Sequence, residues 1–145
     1  QTGKDLWRIS GLAGWINGLD WSPDGTRLAT ASSDHSARIW DAATGEQLLL
    51  FGGHSDVVQD VSWSPDSTRL ASVGYDKNIR IWNAATGTES FVKHVGYDSW
   101  VLCVDWHQDG TRLATGAWEA ACIVDTETGK LTKLEGHTHG ILGVA

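Results

Sequence analysis

The chain has 145 residues, 41% hydrophobic and 20% charged, enough for one modest domain with a core of its own. Its net charge of −7 argues against a nucleic-acid or anionic-membrane surface, because phosphate binding needs clustered Lys and Arg. No apolar run approaches the 18 residues that a membrane-crossing helix requires.

Residues 4–9 read as a lone strand that follows a turn ending at Gly3. The next strand carries apolar Ile16, Leu19 and Trp21, spaced three and then two. Strict alternation would space them two and two, so the pattern predicts one inserted residue, a β-bulge. "SPDG" then places Pro second, Asp third and Gly fourth, the chemistry of a type I turn between antiparallel strands. "LAT" is the second strand, "SSDHS" a turn, and "ARIW" the third strand. "DAATG" ends that strand, with Gly45 available for positive φ, and "EQLLLF" is the fourth.

The series then starts again. Val58, Val61 and Trp63 open the second round, and Val101, Val104 and Trp106 the third, with the same three-then-two spacing. "TESFV" and "KLTKL" close the two rounds. Gly3, Gly45, Gly87 and Gly129 each follow a Thr at a constant interval of 42, and Trp21, Trp63 and Trp106 recur at 42 and 43. Units of this length are supersecondary modules that cannot bury their own faces alone. No helical periodicity of useful length appears, so the predicted fold is all-β, with each module a four-stranded antiparallel sheet.

These modules resemble the WD-repeat β-propeller family, whose repeats carry "GH", a serine-proline turn, an Asp turn and a closing Trp-Asp. Gly53-His54, Ser64-Pro65, Asp76 and Trp82-Asn83 match that order in the second repeat, and Trp40-Asp41 matches in the first. "RIWDAATG" is similar to prokaryotic-type repeats. The resemblance implies complete blades at 12–51, 54–93 and 97–134. It also implies strand d of a preceding blade at 1–9 and strand a of a following blade at 137–145. Propellers close with roughly four to eight blades, so the remaining blades are expected from the same parent chain or from other copies. The chain starts at Gln1 and contains no Met, and is expected to be a segment of a larger multidomain protein.

In this family a buried polar network ties the blade together, and it maps onto His54, Ser72, Asp76 and Trp82. An indole N–H wants a partner when buried, Ser can accept it and donate to His, and Asp can hold the other imidazole nitrogen. The first repeat has Leu12 in the His place and keeps Thr30, Asp34 and Trp40. The third has Tyr97 and Thr115, and its "WEAACIVD" is one residue short, which leaves Glu119 near the Asp place and Val124 in the Trp place. Ser, His and Asp also suggest a hydrolase, but a triad is recognised by geometry at an open site, and the strained "GxSxG" elbow is missing.

The resemblance further implies three exposed positions per blade for a protein or peptide partner: Trp15, Asn17 and Ser33; Val57, Gln59 and Tyr75; Trp100, Leu102 and Trp118. Gly140 and Leu142 continue the series. Trp and Tyr in loops make strong anchors. Trp7, Trp21, Trp63 and Trp106 are expected to pack in the core or between blades. No catalytic residue, metal ligand set or cofactor is expected. Of the six histidines, His137 and His139 are two apart with no third ligand nearby, and Asp20, Asp60 and Asp105 in the first strands do not share one repeat position. Cys103 and Cys122 have no metal-ligand spacing and read as buried thiols, which suits a cytoplasmic location. Two functions follow: a non-catalytic binding scaffold, or a propeller part that assembles with copies of itself into a closed ring.

Overall fold

The computed structural model describes residues 8–9, 13–96, 98–118, 120–134, 136 and 139–144. The strands are β1 (Ile16–Trp21), β2 (Arg27–Ser32), β3 (Ala37–Asp41), β4 (Gln47–Phe51), β5 (Val58–Trp63) and β6 (Arg69–Gly74). They continue as β7 (Asn78–Asn83), β8 (Glu89–His94), β9 (Val101–Trp106), β10 (Arg112–Ala117), β11 (Ala121–Asp125) and β12 (Leu131–Leu134). Three four-stranded antiparallel sheets result, β1-β2-β3-β4, β5-β6-β7-β8 and β9-β10-β11-β12, and the described residues contain no helix. The lone strand at 4–9 and the start of the segment at 137–145 fall largely outside the described residues; residues 139–144 have no strand assignment.

The spacing of three and then two is a bulge in all three sheets. Register shifts at Ile16/Gly18, Val58/Asp60 and Gly116/Ala117 leave Asn17, Gln59 and Leu102 as the inserted residues. A second bulge, in the fourth strand, was not foreseen. The pairing jumps between Ile39/Trp40 and between Ile81/Trp82, and the third sheet pairs β11 with β12 without a jump. The ruled glycines close the third turn: Gly45, Gly87 and Gly129 have φ near 70°, and each donates its N–H to the residue four before it.

The sheets lie side by side, joined through their first strands, β1 to β5 and β5 to β9. Two apolar cores form between them. Ala29, Ile39 and Phe51 of the first sheet meet Val61, Trp63 and Leu70 of the second. Ala71, Val73 and Ile81 of the second meet Val104, Trp106 and Leu113 of the third.

The two joints share a polar pattern. Arg27 lies over the Trp63 ring at 4.6 Å and donates to the Ser67 carbonyl at 2.7 Å. One repeat later Arg69 lies over Trp106 at 4.6 Å and donates to the Gly110 carbonyl at 2.7 Å. The backbone N–H of each covered Trp also finds a side chain of the preceding blade: Asp20 accepts from Trp63 at 2.8 Å, and Ser62 accepts from Trp106 at 3.2 Å.

Trp63 and Trp106 are thus buried between blades as expected, but Trp21 is not. It is 53% exposed, against 3% for Trp63 and 5% for Trp106. The arginines that lie over Trp63 and Trp106 each belong to the blade before. Trp7 lies outside the described residues.

Candidate functional site

Antiparallel pairing gathers the fourth-to-first-strand loops and the second-to-third-strand turns at one end of the molecule. The frame under that end is strongest in the second blade. Trp82 donates its indole N–H to Ser72 Oγ at 2.8 Å, Ser72 Oγ meets His54 Nε2 at 2.8 Å, and His54 Nδ1 meets Asp76 Oδ1 at 3.0 Å. One arrangement satisfies every group: Ser72 donates to Nε2, and Nδ1–H donates to the carboxylate. Burial works against the charge on Asp76, but bonds from His54 and Asn78 outweigh it and hold the carboxyl at about 2. Ser72 is fully buried and His54 is 5% exposed, so this Ser-His-Asp set has no opening for a substrate. Gly53, before the His, leaves room for the Trp82 ring, because a Cβ there would lie 2.6 Å from Trp82 Cη2.

The first blade keeps a shorter version. Trp40 donates to Thr30 Oγ1 at 2.9 Å, and Asp34 pairs with Arg38 at 2.8 Å while accepting from Ser36. Leu12, Tyr97 and Glu119 lie outside the described residues; Thr115 and Val124 are buried in the third blade.

Above this frame three of the four expected aromatic positions come together at one place. Tyr75 stacks on Trp100, with centroids 4.4 Å apart and planes at 16°. Trp100 and Trp118, half exposed, wall a cavity of about 270 Å³ together with Asp98 and Ser99. The ring of Trp118 rests against Gly140, where a Cβ would lie 3.2 Å from Cε3.

The other expected positions do not line this cavity. Trp15 is 83% exposed, and its backbone is tied to Ser33 in both directions: Trp15 N–H to Ser33 Oγ at 2.7 Å, and Ser33 N–H to the Trp15 carbonyl at 2.9 Å. Asn17 donates its amide to the Val58 carbonyl across the first joint at 3.0 Å. The Val57 carbonyl accepts the Tyr75 N–H at 2.9 Å. Gln59 and Leu102 are half-buried bulge residues, and Leu142 is exposed.

Asp20 and Asp60 have a role that their sequence positions did not suggest. Each carboxylate reaches the next blade: Asp20 accepts from Trp63 N–H, and Asp60 accepts from Val104 N–H at 3.0 Å and from Val61 N–H at 2.9 Å. Burial raises the pKa of both; their backbone bonds oppose it, and the repulsion of Asp105 and, for Asp60, of Asp20 adds to it. Gly18 makes the room, since a Cβ there would lie 2.5 Å from Asp60 Oδ1. Burial likewise pushes the Cys103 thiol up to about 11, and Cys103 and Cys122 are both buried thiols. Among the described residues no three His, Cys, Asp or Glu side chains gather as metal ligands.

Four-stranded antiparallel blades packed in sequence through their first strands define a β-propeller segment. The chain belongs to the WD-repeat family: residues 3–41, 45–83 and 88–124 match the WD domain, G-beta repeat. Curated relatives include Lissencephaly-1 homolog 1 of Paramecium tetraurelia, 33% identical over 45 residues, which are 31% of this chain and 11% of that protein. Another is the 77 kDa echinoderm microtubule-associated protein of Strongylocentrotus purpuratus, 37% identical over 43 residues, 30% of this chain and 6% of that protein. Both organisms are eukaryotes, so these relatives lend no support to a prokaryotic type of repeat.

Among solved structures, U3-55K and the RRP9 WD40 repeats each superpose with a TM-score of 0.84 at 22% identity, over 90% of this chain and 42% of the other. That likeness is one of fold. The chain spans less than half the length of each of these relatives and structures.

Proposed function

We propose that the chain is a scaffold segment that binds a protein or peptide, without catalysis, through the face carrying Tyr75, Trp100 and Trp118. The observation that carries this reading is the pair of half-exposed indoles walling one cavity, with Tyr75 stacked behind the first. Large aromatic rings held open on a rigid frame are the side chains that dominate binding energy at interfaces. The closed Ser72-His54-Asp76 set supports a structural role for those residues. The net charge of −7 favours a protein over a nucleic acid, and the two buried thiols suit the cytoplasm.

The test is selection of displayed peptides on the chain, followed by binding to Trp118→Ala and Tyr75→Ala. Loss of about tenfold or more in affinity with a Tm near that of the parent is expected. Unchanged binding, or unfolding of both variants, would overturn the assignment.

One observation favours a second reading, assembly into a ring of copies. Ile16, Leu19 and Trp21 are exposed, while their counterparts in the later blades are buried between sheets. Against it, Ile141, the counterpart of Ile16, already lies on the third blade, with its N–H bonded to the Ala117 carbonyl at 3.1 Å. Light scattering over a concentration series decides: a closed oligomer of fixed mass supports the ring, and a concentration-dependent spread of sizes refutes it.

A further inference from the structure

We infer that the cavity between Trp100 and Trp118 takes the guanidinium of an arginine side chain carried by a basic peptide. The inference rests on the proposed peptide-binding face and names the chemistry of its central contact. At about 270 Å³ the cavity falls below the roughly 300–1,000 Å³ of small-molecule sites. It has room for one long side chain projecting from a larger partner.

Its walls suit a cation. Each indole has one flank occupied, Trp100 by Tyr75 and Trp118 by Gly140, and each contributes to the cavity lining. The negative face of an indole attracts a cation that sheds water to reach it. Asp98, fully exposed, supplies a carboxylate at the rim. Its present partner is the Lys77 ammonium at 3.5 Å, a surface pair that is readily exchanged.

A guanidinium fits this set better than an ammonium. It is planar and weakly hydrated, it stacks on aromatic faces, and its fork can take both oxygens of a carboxylate. The chain already uses this pairing at both of its joints, with Arg27 over Trp63 and Arg69 over Trp106, each at 4.6 Å. Trp100 and Trp118 are aromatic sites of the same kind left open to an incoming arginine. An excess of acidic over basic residues, 18 against 11, draws a basic partner toward the molecule.

The experiment titrates the chain with the peptide Gly-Gly-Arg-Gly-Gly and with its twin bearing citrulline, the neutral isostere of arginine. The readout is the pair of indole N–H resonances that disappear in Trp100→Phe and Trp118→Phe. Saturable shifts of both are expected with the arginine peptide, with affinity about tenfold weaker for the citrulline twin. Asp98→Asn, an exposed change that leaves the fold intact, is expected to weaken the arginine peptide and not its twin. Equal binding of the two peptides, or no shift with either, would overturn the inference. A selected peptide that needs Trp118 but contains no arginine would sink this inference alone; failure of every peptide to depend on Trp118 would sink the proposed face as well.

Discussion

Ser72→Ala tests whether the buried chain of bonds holds the second blade together. Ser72 Oγ is the shared partner of Trp82 Nε1 and His54 Nε2, both at 2.8 Å, at a fully buried position. Removing the hydroxyl strands two buried polar groups, at about 1–3 kcal/mol each, for a total of about 4 kcal/mol. Thr30→Val in the first blade is the internal control. It keeps the side-chain shape and strands one group, Trp40 Nε1, so it costs about 2 kcal/mol. For a chain of this size each kcal/mol lowers Tm by about 2–4 °C, which gives about 8–16 °C for Ser72→Ala and half that for Thr30→Val. Urea unfolding with an unchanged m-value and calorimetry measure both. Adding His54→Phe to Ser72→Ala should cost less than His54→Phe alone, with a coupling above about 0.5 kcal/mol. A Thr30→Val penalty equal to or larger than that of Ser72→Ala, or strict additivity in the double variant, would refute the network as a unit.

Arg69→Ala removes both the cover on Trp106 and the bond to Gly110, and is expected to cost about 1–3 kcal/mol. Arg112→Ala, at the aligned position of the third blade, loses only surface pairs with Asp109 and His107 and should stay within about 0.5 kcal/mol. Denaturation of the two variants side by side checks the contrast, and equal costs would remove the joint from the argument. Stability should pass through a maximum on the acid side of neutrality. Asp20 and Asp60 have pKa values raised in the folded state above 3.8, so lowering the pH toward 4 protonates them there first and adds stability. Asp34, Asp66 and Asp76 are held at about 2, so what they contribute above 3.8 is lost as the pH falls through about 2. A Tm series from neutral pH into acid checks this, and a fall that begins at neutrality and never reverses would refute the part assigned to Asp20 and Asp60.

What the sequence made legible is what each repeat decides for itself. Apolar residues spaced three and then two announced the bulges at Asn17, Gln59 and Leu102, because a strand cannot face the same neighbour at an odd interval without an extra residue. The positions of His54, Ser72, Asp76 and Trp82 announced a network whose members all lie within one blade. The features that escaped belong to pairs of repeats. Trp21 carries the same letter in the same place as Trp63 and Trp106, yet it is exposed, while those two are covered by Arg27 and Arg69 of the blade before each. Asp60 shares no repeat position with Asp20 or Asp105, and it fits only because the residue opposite, in the neighbouring first strand, is Gly18. A single repeat read alone contains neither fact.

The same division explains why the aromatic face stands apart from the frame. Trp63 and Trp106 repeat, as do Arg27 and Arg69, because both joints pose one packing problem and one solution serves twice. Trp15, Val57 and Trp100 occupy equivalent loop positions before their bulged strands, and Ser33, Tyr75 and Trp118 occupy equivalent turns. There the backbone is the same and the side chains differ. A frame that accepts Trp, Val and Trp in one place, and Ser, Tyr and Trp in another, does not dictate those residues. The stacking of Tyr75 on Trp100 and the opening between Trp100 and Trp118 are therefore not dictated by the blades, as the proposed binding face requires.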